Sequence, residues 1–354
     1  PVAANITYHD QTDMDNIRKL REVLKTLPAF AKDYFRAIEP TTSTKTRISY
    51  AYDIRIFFQF LISQNPSLAK IGIPNLNVSV LDQLKPIDIE EYMEYLKLYD
   101  SPNDQTTITN GERGLKRKIS SLRSFYTYYY KRQAIETNPV QLVDMPKIHD
   151  KAIIRLDAGE TAALLDYIEH CGDQLTGQRK AYYEKTKLRD LAIVTLLLGT
   201  GIRVSECVGL DVEDIDFRNN GIRLIRKGGS EMVVYFGPEV EKALKDYLEA
   251  RKAISPLEGH EHALFYSTQR KRIGVQAVEN LVKKYARAIT TTKKITPHKL
   301  RSTYGTTLYQ ETGDIYLVAD VLGHKDVNTT KKHYAAMDDA RRRKAATAIR
   351  LRED

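Results

Sequence analysis

Apolar positions recur at helical spacing through most of the first 140 residues. Ile17, Leu20, Leu24 and Leu27 form one stripe and predict a helix over 12–27. Pro28 opens a second helix carrying Phe30, Tyr34 and Phe35, which stops before Pro40. Thr41-Thr42-Ser43 offer N-caps for a longer helix reaching about residue 63, with Ile48, Ala51, Tyr52, Phe58 and Leu61 as its buried stripe. Residues 65–85 hold Pro66, Gly72, Pro74 and several Asn, a loop composition. Pro86 starts another helix with Ile89, Tyr92, Met93 and Leu96, and 100–110 is polar and turn-rich. The helix over 111–132 is strongly two-sided. Leu115, Ile119, Leu122, Phe125 and Tyr126 face a core, while Arg113, Lys116, Arg117, Lys118, Arg123, Lys131 and Arg132 face outward.

The periodicity fades over 138–157, which contains Pro139 and Pro146. We therefore expect a helical domain at 1–140, a linker at 141–157 and a second domain at 158–354. In the second domain, helices are predicted near 158–170 and 187–198; the latter is apolar nearly all round and buried. A Gly199-Thr200-Gly201 turn follows. Two β-rich runs, Ile222–Arg226 and Glu231–Phe236, flank Lys227-Gly228-Gly229-Ser230 and predict a hairpin. Further helices fall near 238–251, 274–289, 297–312, 314–322 and 329–349. The fold class is mainly α, with one small antiparallel sheet in the second domain.

Composition narrows the partners. The chain has 354 residues, 42% of them hydrophobic, a net charge of +9 and a pI near 9.2. Residues 1–150 hold 20 basic and 18 acidic side chains, so +2 of that charge lies there and +7 beyond. This favours a polyanionic partner without choosing among DNA, RNA and anionic membrane. No apolar run is long enough to span a bilayer, the first ten residues lack a signal pattern, and Pro1 in place of Met suits a processed or trimmed chain. Cys171 and Cys207 make neither a disulfide framework nor a metal site, which suits a reducing cytoplasm.

Candidate chemistry sits mainly after residue 200. Thr296 and Pro297 suit the start of a helix, which puts His298 and Arg301 on one face of its first turn, where an anion is favoured. Gly323 suits a helix C-terminus from which His324 projects. Arg203 follows a glycine turn and can fork onto a phosphate; a salt bridge to Glu206 is the plainer use, and both can hold. Lys227 at the hairpin turn is either a solvated lysine or a reach into a site. Tyr334 is one of 22 tyrosines, and only the ensemble singles it out. The basic face at 111–132 is either solvated or laid against DNA through Arg113, Lys116, Arg117, Lys118 and Arg123.

In order, Arg203, Lys227, His298-x-x-Arg301, His324 and Tyr334 resemble the tyrosine recombinase/integrase family. The matching boxes are Thr200–Glu206, Lys227-Gly228-Gly229, His298–Arg301, Leu322–His324 and Thr330–Tyr334. The resemblance extends over about 28–350 and leaves 1–27 and 65–85 outside it. It implies a helical core-binding domain followed by a catalytic domain, closing as a clamp on double-stranded DNA. Tyr334 would cleave a strand to a 3′-phosphotyrosyl enzyme, and a partner 5′-hydroxyl would reseal it, with neither ATP nor metal nor other cofactor. Arg203, Arg301 and His324 would stabilise the transition state. Lys227 would be the general acid, His298 would take the Tyr334 proton or position it, and Glu206 would fix Arg203. The same resemblance implies a homo-tetramer on two recombination sites, with the segment after Tyr334 docking in cis or between protomers. The alternatives are a type IB topoisomerase and an inactive architectural DNA-binding protein. The recombination site and any accessory proteins are not specified.

Overall fold

The computed structural model describes residues 7–101, 106–149, 153–226, 231–324, 327–328 and 330. The chain divides into two compact units, Pro1–Lys151 and Ala152–Asp354.

Unit 1 is helical: α1 (Tyr8–Leu24), α2 (Ala31–Ala37), α3 (Thr44–Gln64), α4 (Pro66–Ile71), α5 (Pro86–Tyr95), α6 (Glu112–Lys131) and α7 (Pro139–Leu142). Ser43 caps α3, its hydroxyl accepting from the Thr46 amide. The core is aromatic, with Tyr34, Phe35, Phe57, Phe58, Phe125 and Tyr126 all essentially inaccessible. The buried hydroxyls are satisfied: Tyr34 donates to Ser124 Oγ at 2.9 Å and Tyr126 to the Leu81 carbonyl at 3.3 Å. On α3 the stripe is wider than its apolar spacing predicts. Ile54, Phe57 and Phe60 join it, while Tyr52 stays half-buried with the Arg55 guanidinium 4.9 Å over its ring.

Two stretches of unit 1 are more ordered than their composition predicts. Residues 65–85 form α4 and two 3₁₀ turns, Ile73–Asn75 and Val78–Gln83. Asn65 caps α4 and Asn77 caps the second turn. Asp82 accepts the amides of Glu136 and Thr137, so side-chain bonds replace the missing periodicity. Residues 98–109 carry a small antiparallel pair, β1 (Leu98–Asp100) with β2 (Thr107–Thr109).

Unit 2 is built around α9 (Gly177–Thr200), against which α8 (Ala158–His170), α11 (Pro238–Arg251) and α13 (Pro297–Thr312) pack. Its apolar second half is buried almost throughout, as Leu188–Leu198 predicts. Gly199 is helical rather than part of a turn, and it admits α11: a Cβ there would lie 2.4 Å from Val240 Cγ2. Asp190 on α9 accepts from Arg189 at 2.7 Å and from the Tyr285 hydroxyl at 3.0 Å, tying in α12 (Val275–Ile289). The hairpin is β4 (Gly221–Ile225) with β5 (Glu231–Tyr235), paired from Gly221↔Tyr235 to Ile225↔Glu231. A short third strand, β3 (Ile215–Asp216), adds to β4. Helices α10 (Val204–Gly209) and α14 (Ile315–Leu322) also belong to the unit.

The expected linker at 141–157 is partly absorbed at both ends. Val143 is buried in the unit 1 core. Leu156 is 3% exposed, and its amide donates to Thr303 Oγ1 at 3.0 Å within unit 2. Among the described residues no helix is long and apolar enough to cross a membrane.

Candidate active site

The C-terminus of α14 is the centre of the site. Gly323 takes the left-handed conformation, φ +60°, and its amide donates to the Asp320 carbonyl at 2.7 Å. The His324 amide donates to the Ala319 carbonyl at 2.9 Å. This pairing closes the helix end and satisfies two of its carbonyls. The next three carbonyls each take an arginine from a different part of the chain. Val321 accepts from Arg226 Nη2 at 3.1 Å, Leu322 from Arg301 Nη2, and Gly323 from Arg203 Nη2 at 3.4 Å. A helix C-terminus lacks internal donors and carries partial negative charge, so cations are favoured there. Three guanidinium groups are thereby collected around the turn that carries His324.

Each arginine is positioned by its own element. Arg203 stands at the start of α10, where its amide donates to Glu206 Oε2 at 2.7 Å and its Nη1 to Glu206 Oε1 at 2.8 Å. The pair is asymmetric: the Arg203 side chain is 41% exposed and that of Glu206 only 7%. Glu206 therefore orients Arg203 from below while leaving much of it accessible. Arg301, on the second turn of α13, is 5% exposed. Its Nη1 donates to the Gly201 carbonyl as its Nη2 does to Leu322. Gly201 ends α9 at φ +64°, and a Cβ there would lie 2.3 Å from Tyr304 Cδ1 and 3.0 Å from Leu322 Cδ2. The bare backbone of Gly201 thus lets α9, α13 and α14 meet.

His324 is half-buried, and its Nδ1 lies 2.7 Å from the hydroxyl of the buried Thr330. His298 is exposed on the first turn of α13, three residues before Arg301. Thr296 holds the N-cap position through its backbone alone, with no side-chain cap bond. Lys227 and Tyr334 lie outside the described residues. Cys207, next to Glu206, is fully buried, and burial pushes its thiol up to about 12, so it stays a neutral packing group.

The basic face of α6 is used differently from the outward set that its spacing suggests. Lys118 is buried, 7% exposed, and donates to Asn110 Oδ1 at 2.8 Å; burial lowers its pKa. Arg117 pairs with Asp53, whose side chain is 2% exposed. Arg123 donates to the Val140 and Val143 carbonyls at 3.1 and 2.8 Å. Arg113 is exposed and Lys116 half-buried. Asp53 on α3 is what draws the charge inward, and its place on an otherwise buried face is the only hint in the sequence. The sequence motifs also pass over Arg226. The alternation of β4 sets it on the inner side with Ile222 and Leu224, a signal its charge obscures.

Known proteins resemble this chain over most of its length. The phage integrase family matches residues 155–341. A tyrosine recombinase XerC of Caldanaerobacter subterraneus subsp. tengcongensis is 32% identical over 346 residues, covering 94% of this chain and 90% of the relative. A tyrosine recombinase XerS of Streptococcus equi subsp. zooepidemicus is 29% identical over 344 residues, covering 91% and 96%. Among solved structures, the Tn1549 transposon integrase in complex with transposon right end DNA gives a TM-score of 0.62 at 21% identity, covering 89% of this chain and 98% of that one. The XerH site-specific recombinase bound to palindromic difH substrate, in a post-cleavage complex, gives 0.61 at 18%, covering 86% and 79%. These two likenesses establish the fold.

Proposed function

This chain belongs to the phage integrase family as a tyrosine-type site-specific DNA recombinase, and from that footing we propose how its own residues carry the reaction. Tyr334 attacks the scissile phosphorus through its phenolic oxygen. The bond from phosphorus to the 5′-oxygen breaks, leaving a 3′-phosphotyrosyl enzyme and a free 5′-hydroxyl. A partner strand's 5′-hydroxyl then reverses the step, so the phosphodiester energy is conserved without ATP.

The observation that carries this reading is the set of arginines on the α14 terminus. It brings Arg203 and Arg301, 98 positions apart, onto neighbouring carbonyls beside His324. Their guanidinium groups take up charge on the nonbridging oxygens, where other phosphoryl-transfer enzymes use a divalent cation. No cofactor is required. His324 adds a donor through Nε2, which holds its proton when Thr330 donates to Nδ1. His298 accepts the Tyr334 proton or positions that phenol, and Lys227 protonates the leaving 5′-oxygen. Glu206 fixes Arg203.

The partner is double-stranded DNA carrying recombination sites, and the working assembly is a homo-tetramer on two of them. Unit 1 serves as the core-binding domain and unit 2 as the catalytic domain, acting in the cytoplasm. On α6, Arg113 and Lys116 would meet phosphate, joined by Arg117, whose side chain stays 46% exposed beside Asp53. A nicked suicide duplex carrying the site should trap a covalent adduct. Tyr334→Phe should bind the duplex and trap nothing; an adduct surviving that substitution would sink the nucleophile assignment. Exchange between two marked duplexes, beyond relaxation alone, separates recombination from topoisomerase action.

A further inference from the structure

Arg226 is the third guanidinium on the α14 terminus, and the transfer chemistry proposed for Arg203, Arg301 and His324 leaves it without a part. It directly follows β4, and in sequence it directly precedes Lys227. Its side chain is only 11% exposed, against 41% for Arg203. Burial alone does not set it apart, since Arg301 is 5% exposed; what sets it apart is the company its guanidinium keeps. Its surroundings are protein. Nη2 donates to the Val321 carbonyl at 3.1 Å, and Nε lies 3.8 Å from Glu206 Oε1, the oxygen that also accepts from Arg203. Nη1 lies flat against Gly323: a Cβ built there would fall 1.1 Å from it. Gly323 thus serves twice: it supplies the left-handed backbone, and a side chain there would have to displace the Arg226 guanidinium.

A buried cation so confined has a definite mechanical consequence. Glu206 is shared between Arg203 and Arg226, and the α14 turn is gripped by both. The end of β4 cannot shift without dragging the Val321 carbonyl or opening the Glu206 contact. Burial lowers the pKa of this guanidinium, as does the nearby Arg203, and Glu206 offsets them only in part. The position therefore carries an electrostatic cost that a mere surface residue would not.

We propose that Arg226 is a positioning residue for the transfer step: it pins the end of β4, which Lys227 follows in sequence, to the Glu206–Arg203 pair and the Gly323–His324 turn, and loss of that anchor weakens general-acid catalysis. This rests on the assignment of Lys227 as that acid. A donor held on a loose strand end spends less time within reach of the leaving oxygen, so loss of Arg226 slows bond breakage without removing a phosphate contact.

The test uses a leaving group that needs no proton. A nicked suicide duplex is prepared with either oxygen or sulfur at the scissile 5′ bridging position, since a thiolate departs unprotonated. Adduct formation is measured on both for the full-length wild type, Arg226→Ala, Arg226→Gln, Lys227→Ala and Arg301→Ala. On the oxygen duplex Arg226→Ala should be slowed roughly 10- to 100-fold, less than loss of the acid itself. On the sulfur duplex it should return towards the wild-type rate, as Lys227→Ala should, while Arg301→Ala should stay impaired. Comparing both duplexes on one preparation cancels any unfolded fraction, and Arg226→Gln, which keeps an amide donor, supplies the milder case. Rescue of Lys227→Ala without rescue of either Arg226 variant would overturn the inference alone, as would Arg226 variants with no defect on oxygen. A Lys227→Ala defect that sulfur does not relieve would overturn the acid assignment, and the positioning of that acid with it.

Discussion

Two groups of basic side chains in this molecule have opposite histories. On α6, five cations crowd into eleven residues, and the fold disperses three of them: Arg117 goes to Asp53, Lys118 to Asn110, and Arg123 to two carbonyls. In unit 2, Arg203, Arg226 and Arg301 are spread along the chain, and the fold gathers them on three consecutive carbonyls. Density of charge along a chain is therefore a poor guide to density of charge in space. What gathers cations is a concentrated acceptor, here a helix C-terminus whose carbonyls have no internal donors. What disperses them is a buried carboxylate and loose carbonyls within reach of one helix face.

The strongest way to break this contrast is to remove one arginine from each group. Arg301→Ala should slow adduct formation on a suicide duplex by about 10²–10³-fold. It should also destabilise unit 2, because two carbonyls lose their buried donor at about 1–3 kcal/mol each. Arg123→Ala removes donors from two carbonyls as well, yet its effect should be confined to stability, about 1–3 kcal/mol, with adduct formation on saturating DNA nearly unchanged. Equal kinetic losses in the two variants would erase the distinction.

Much of this is legible in the sequence, for identifiable reasons. The catalytic boxes carry their own local geometry: Gly323 ends a helix, Pro297 starts one, and Glu206 sits three residues after Arg203, where it can reach back. The buried half of α9 announces itself by being apolar all round. What stays hidden depends on partners that no local pattern names. Nothing near Lys118 says that Asn110 will accept from it, and nothing near Arg226 says that Val321 will. The turns of 65–85 are hidden because Asn65, Asn77 and Asp82 build them with side-chain bonds, which leave no apolar period.

Within α6 itself the contrast can be sharpened. Arg113→Ala with Lys116→Ala should weaken DNA binding and lower the slope of log affinity against log salt by roughly one for each phosphate that the pair neutralises in the wild type. Lys118→Met keeps the buried stem and removes the charge. It should lower the stability of unit 1 by about 1–3 kcal/mol and leave the salt slope alone. The check is DNA titration at several salt concentrations beside thermal melting. A salt slope that falls with Lys118→Met would mean that this lysine leaves its pocket to meet DNA.

The smallest expected effect concerns the carboxylate that disperses the α6 charges. Asp53 is buried, and burial raises its carboxyl above the ordinary value even though Arg117 and Lys118 pull the other way. Folded protein then holds a proton on Asp53 over a pH range in which unfolded chain has lost it. The sign follows: this group's contribution to stability is complete below the ordinary carboxylate pKa and declines as pH rises towards the raised one. Asp53→Asn removes that decline while keeping the shape. It gives up the ion pair with Arg117, but that side chain is 46% exposed, so solvent screening makes the loss small. Urea unfolding followed by far-ultraviolet circular dichroism should show Asp53→Asn gaining on the wild type as pH rises above about 4. If instead Asp53→Asn loses several kcal/mol at neutral pH, of the order expected for breaking a buried pair, the attraction of two cations outweighs burial. The dispersal of the α6 charges would then be a source of stability in its own right, as strong a device as the one that gathers arginines on α14.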